Sequence, residues 1–155
     1  PPAPPPPPRE GFCDTLTRIV AAERLGFAPL RAGSTGDRRW SGTAVPFGFA
    51  RCEVEGGFYP TATYACTNVP RRGRRGGVLD DEFDAIGDAV DACLARAAWY
   101  PADWRRGDEH RFGLGERQVT WRDIKASPKP ALQLKVEEDF LRHRYLVRLA
   151  VFTLQ

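Results

Sequence analysis

The chain is predicted to be α+β: tandem helix–strand–strand repeats forming one largely antiparallel sheet, with two helices packed on one face. Three observations predict this. Two segments carry apolar residues at helical spacing, one over about 11–27 and one from Asp80 to about Ala97. Four segments alternate with period two: Phe47–Glu55, Thr61–Thr67, Ala131–Glu137 and Arg142–Leu154. The two halves also match in order. FCDTLTRIVAA aligns with FDAIGDAVDAC, GFAPLRAG with AWYPADWRRG, and each continues through a Gly-Asp turn (Gly36-Asp37, Gly107-Asp108) to a strand pair. One such unit cannot cover its own sheet face, so the halves are expected to share a core. The expected division is a Pro-rich spacer at 1–10 and a single domain at 11–155. Within that domain, repeats at 11–69 and 78–155 are joined by a basic Gly-rich linker at 70–77.

Seven of the first eight residues are Pro, which favours an extended polyproline rod over helix or sheet. A stiff spacer is preferred here to a ligand for a proline-recognition module. In the first helix, Phe12, Leu16, Ile19, Val20 and Phe27 form the stripe, with Cys13 beside it, and Gly26 and Pro29 end it. Residues 31–44 read as a turn-rich loop. Ala50, Cys52 and Val54 share one face of the next strand, and Ala62, Tyr64 and Cys66 one face of its partner. The GGFYP segment at 56–60 joins them as a hairpin.

Asp80 is read as the N-cap of the second helix, whose stripe is Phe83, Ile86, Val90, Cys93, Leu94 and Ala97, broken by Pro101. Residues 105–124 are expected to be loop with an edge strand. Leu132, Leu134 and Val136 then face one way, as do His143, Tyr145, Val147, Leu149 and Val151. Glu137-Glu138-Asp139 is read as the start of the connection between these last two strands.

Cys13, Cys52, Cys66 and Cys93 are separated by 39, 14 and 27 positions, which lacks the close pairs of a zinc site. An even count favours two disulfides in an oxidising compartment. Four cysteines allow three connectivities, and spacing alone does not choose among them. The expected pairing is Cys52–Cys66 across the strand hairpin, leaving Cys13–Cys93 to tie the helices. No metal or other cofactor is expected. The chain starts at Pro1 and contains no Met, which is read as loss of a signal peptide, a lipoprotein-type anchor or an artificial boundary. Arg outnumbers Lys 20 to 3 and Asn68 is the sole Asn, a bias of GC-rich, bacterial coding. No apolar run is long enough to span a bilayer. A periplasmic or secreted location is expected.

The net charge of +3 excludes both a histone-like polycation and an acidic solvating chain. There is no G-x-S-x-G, Walker loop, G-x-G-x-x-G or H-E-x-x-H, so no catalytic residue is assigned. Asp81, Asp84, Asp88 and Asp91 fall toward one helix side and read as a solvated acidic face. His143 reads as a core histidine, and His110 has no partner readable from sequence. Arg-Trp neighbours at Trp40, Trp104 and Trp121 read as buried rings with their arginines in water. The conspicuous polar feature is Arg71, Arg72, Arg74 and Arg75. With Arg144 and Arg148 on the exposed sheet face, these are the candidate binding residues. The expected function is non-catalytic binding, with a protein or an acidic envelope polymer as partner. An enzyme with a site assembled from distant residues, and a nucleic-acid binder acting through the Arg71–Arg75 loop, are the less favoured alternatives.

Overall fold

The computed structural model describes residues 9–57, 62–72, 78–96, 102–112, 116–126, 129–139 and 144–154. Arg74, Arg75, Trp99, Tyr100 and His143 lie outside them. Helix α1 spans Arg9–Ala22 and α2 spans Val78–Leu94. The strands are β1 Arg31–Gly36, β2 Arg39–Gly42, β3 Arg51–Gly56, β4 Ala62–Thr67, β5 Arg71–Arg72, β6 Trp104–Arg106, β7 His110–Phe112, β8 Glu116–Asp123, β9 Lys129–Asp139 and β10 Arg144–Leu154. They form one sheet ordered β1-β2-β3-β4-β10-β9-β8-β6, with β5 on β10 and β7 on β8, and the neighbouring strands run antiparallel. The α+β class is therefore as expected, in a sheet-rich form.

Both helices bury their stripes against one sheet face. Phe12, Leu16 and Ile19 of α1 and Phe83 and Val90 of α2 join Val54, Tyr64, Val119, Trp121, Leu132, Leu134, Val147 and Leu149 in one apolar cluster. The period-two sets read from the strands supply this floor. Cys13 is bonded to Cys93 between the helices, with Cα atoms 5.3 Å apart, and Cys52 to Cys66 at directly opposed positions of β3 and β4, 4.0 Å apart. Loop-closing crosslinks of this kind act chiefly on the unfolded chain. They suggest an oxidising location. Among the described residues no helix is long and apolar enough to cross a membrane.

Several boundaries differ from expectation. Arg9 and Glu10 belong to α1 rather than to a spacer. The α-helix stops at Ala22, because Gly26 (φ 61°) and Phe27 (φ 62°) take left-handed conformations and turn the chain. Phe27 still reaches the core, its ring 5.4 Å from that of Tyr64. Residues 31–44 are largely not loop: β1 and β2 form a hairpin, and the turn residues Asp37 and Arg38 occupy only its tip. Its Gly and Ser suit an edge strand, since β1 is almost wholly exposed and its register shifts twice against β2. Helix α2 begins at Val78, so Asp80 lies inside the first turn instead of capping it. Residues 105–124 contain three strands, and β8 is an interior strand with Val119 and Trp121 fully buried. Glu137, Glu138 and Asp139 extend β9 rather than leaving it, held opposite Leu146, Tyr145 and Arg144. Within the expected linker at 70–77, Arg71 and Arg72 pair with β10 as β5.

Candidate functional site

The helices cover one face of the sheet, and no described element covers the other. Strand alternation sends Arg51, Thr67, Arg148, Lys135 and Gln118 to that open face. Register aligns them in one row across β3, β4, β10, β9 and β8, because Arg51 opposes Thr67, Thr67 opposes Arg148, Arg148 opposes Lys135, and Lys135 opposes Gln118. The row has three cations. Glu137 serves two of them, at 2.9 Å from Lys135 and 4.0 Å from Arg148, and Arg51 has no acidic partner among the described residues. The adjacent row is small in its middle: Ala65 opposes Ala150, which opposes Gln133. Both alanines are buried beneath their longer neighbours, so the cationic row borders a low floor.

Of the expected binding residues, Arg144 and Arg148 thus lie on one strand of this face. Arg71 and Arg72 are brought beside them by backbone pairing, Arg72 opposite Arg144 and Arg71 opposite Tyr145. The Arg144 Nε is buried without a hydrogen-bond partner among the described residues. Arg51 and Lys135 were missed, although alternation around Cys52 and around Leu134 already assigns them to the outer face.

At the β6–β8 end, the same face sinks into a cleft of about 370 Å³ lined by Arg105, Gly107, His110, Gln118, Thr120, Arg122 and others. The β6–β7 turn forms one wall, pinned by the Gly107 N–H donating to the Thr120 carbonyl at 2.8 Å. The Arg105 guanidinium is paired in two places with Asp103, at 2.9 and 3.1 Å, which holds the Asp103 carboxyl below its usual range. Arg122 stands directly opposite Arg105 and has no acidic partner among the described residues.

On the helix side, Asp81, Asp84 and Asp88 of α2 are exposed, as expected of a solvated acidic face, but Asp84, together with Asp80 and Asp91, also engages partners from the sheet. Arg117, only 7% exposed, donates to Asp80 at 3.2 Å, Asp84 at 2.7 Å and Glu109 at 2.7 Å, and its guanidinium lies 4.3 Å from the centre of the Phe83 ring. Burial alone would weaken its hold on the proton, but the three carboxylates overcome that and raise the pKa above the ordinary arginine value. Glu109 is held below its usual range, chiefly by the Arg117 hydrogen bond. Asp91 accepts from the Trp121 indole at 2.8 Å and from Arg106 at 2.5 Å. Neither the apolar stripe of α2 nor its spacing of aspartates reveals a buried arginine arriving from β8. Trp121 is buried, whereas Trp40 and Trp104 are half-buried at the rim of the core. Arg31 lies 4.0 Å from the centre of the Trp40 ring.

Among the described residues no group of three or more His, Cys, Asp or Glu is placed to hold a metal ion. No protein-family model, curated protein or solved structure matches the chain.

Proposed function

We propose that the protein is a non-catalytic binding domain of the bacterial envelope, periplasmic or secreted, whose open sheet face takes an acidic protein or envelope polymer. The observation that carries this reading is the in-register row Arg51–Thr67–Arg148–Lys135–Gln118 on a face that no described element covers. Neighbouring strands lie about 4.8 Å apart, so the row spaces its cations along a line of roughly 15 Å. That geometry suits a partner with repeated negative charge better than one small ion. Rigid strands hold the arginine and lysine stems, which lowers the ordering cost on binding. Arg144 lies on the same face of β10 as Arg148, four residues before it.

The test is binding of the whole protein to polyglutamate and to poly(glycerol phosphate) at several salt concentrations. Affinity should fall steeply with salt, and the triple variant Arg51→Gln/Lys135→Gln/Arg148→Gln should lose about tenfold or more, since charge-assisted contacts contribute on the order of 1.5–3 kcal/mol each. Its unfolding free energy should fall by no more than about 1–2 kcal/mol, because Lys135 and Arg148 are partly exposed partners of Glu137 and such pairs contribute up to about 1 kcal/mol each. Undiminished binding by the triple variant overturns the sheet-face reading. Tighter, salt-sensitive binding to single-stranded DNA than to either polymer favours the nucleic-acid alternative instead.

A further inference from the structure

The cleft at the β6–β8 edge is a different kind of site from the cationic row. The row is open and linear, whereas the cleft is concave and has a volume of about 370 Å³, within the range of roughly 300–1,000 Å³ that small-molecule sites occupy. We propose that this cleft binds a small hydroxylated ligand carrying one oxyanion group, a sugar phosphate or a sugar acid, with Arg122 receiving the oxyanion.

The argument starts from an electrostatic imbalance. Arg105 and Arg122 are register partners on β6 and β8, and both line the cleft. Like charges directly opposite one another on neighbouring strands are unfavourable. Asp103 relieves one of them through its two-point pairing with Arg105. Arg106, the next residue, is likewise engaged by Asp91. Arg122 is left with no acidic partner among the described residues, and an anion in the cleft would supply one. A guanidinium favours carboxylate and phosphate oxygens because its planar fork meets two of them at once.

The rest of the lining describes the remainder of the ligand. Thr120 and Gln118 stand on the same face of β8 as Arg122, two and four residues before it, so a hydroxyl and an amide lead up to the guanidinium along one line. Asp108, on the turn wall, forms no ion pair among the described residues; it would repel a second anionic group and accept from ligand hydroxyls. Ile124, 46% exposed, provides an apolar wall for the carbon face of a ring. One arginine without an acidic partner among the described residues, one acceptor, two neutral polar groups and one apolar wall suit a hydroxyl-bearing ring with a single oxyanion group better than a free inorganic ion. The inference does not rest on the sheet-face reading: the two sites share Gln118 at their border, but Arg122 and the turn wall lie outside the Arg51–Arg148–Lys135 row.

Titration calorimetry of the whole protein with glucose 6-phosphate, glucuronate, inorganic phosphate and glucose tests it. Glucose 6-phosphate or glucuronate should bind with a dissociation constant of about 1 mM or below, and glucose and inorganic phosphate at least about tenfold more weakly. The tighter of the two anionic sugars identifies the oxyanion. Arg122→Gln should reduce that affinity about tenfold or more, whereas the triple variant of the row should leave it unchanged. The thermal midpoint of Arg122→Gln should stay near wild type or rise, because the substitution removes a like-charge pair. Absence of binding by both anionic sugars up to about 10 mM, or binding that Arg122→Gln leaves intact, overturns the proposal.

Discussion

Each half of the chain builds a helix followed by an antiparallel meander, and the two meanders meet where β4 pairs with β10. They are secured by different chemistry. In the first half, Cys52 is bonded to Cys66 across β3 and β4, and the fully buried Tyr64 ring packs on Phe27. The Tyr64 hydroxyl accepts from the Ala44 N–H at 3.0 Å and donates to the Ala44 carbonyl at 2.5 Å. In the second half, no described disulfide lies within the sheet. Arg117 instead gathers Glu109, Asp80 and Asp84, and Asp91 ties the Trp121 indole to Arg106. The buried ties of the first half stay uncharged at any ordinary pH, its Arg39–Glu53 pair being a loose, exposed one at 3.8 Å, whereas those of the second use carboxylates that must be ionised. The same layout can therefore differ in acid sensitivity from one end to the other.

Removing the bonds that cross this boundary or close the first half should have the largest effect. Cys13→Ala/Cys93→Ala opens a closure of 80 residues and should cost about 4.5 kcal/mol by loop entropy, and Cys52→Ala/Cys66→Ala, closing 14, about 3. Urea unfolding of each double variant measures both. Equal losses would show that strain or denatured-state structure, rather than loop length, sets the contribution of each bond.

Next comes Arg117→Met, which strands three carboxylates beneath the second half. The expected cost is about 2–3 kcal/mol, below the roughly 3–5 of a fully buried pair, because Asp80 and Asp84 still reach water. Hydrogen exchange should quicken in β8 before it does in β3. Equal loosening of both strands would mean the halves do not differ in this way. Tyr64→Phe probes the first half on a smaller scale: it deprives two Ala44 backbone groups of a partner, for about 1–2 kcal/mol in thermal unfolding.

The smallest effect is the most selective. Glu109 has a folded pKa below its unfolded one, so the stability it contributes is present above the unfolded value and is lost as pH falls through the folded value. Stability should therefore decline below the ordinary carboxylate range, and Glu109→Gln should flatten that decline while leaving a lower plateau near neutrality. Unfolding followed at several pH values by tryptophan fluorescence reads this. An unchanged slope in Glu109→Gln would move the acid sensitivity to other carboxylates.

What could be read from the chain follows the physics of repetition. Leu132, Leu134 and Val136, or Phe12, Leu16 and Ile19, announce their elements because one side is buried over several periods. Strand β1 does not, because an exposed edge of Arg, Gly, Ser and Thr imposes no alternation. Strand β8 was hidden for another reason. Arg117 and Asp123 are buried alongside Val119 and Trp121, so the inward set mixes charged with apolar residues and its period of two disappears in a hydropathy reading. The outer cations Arg51 and Lys135 were legible by alternation alone, whereas the cleft was not. Its shape depends on β6 and β7 sharing β8 as a partner, a juxtaposition of segments that no local pattern encodes.

The two margins of the sheet have a consequence for how many copies of the domain can live side by side. At one margin, the register shifts of β1 against β2 distort the row of backbone groups that a second sheet would have to match. At the other, β6 and β7 are three-residue strands separated by the turn at Gly107–Glu109, so that margin is interrupted. A continuous straight edge is what lets one sheet recruit another into a growing ribbon, and neither margin offers one. Pairing of two copies edge to edge is therefore disfavoured at both margins, which leaves the open face as the broad surface through which a copy meets other molecules.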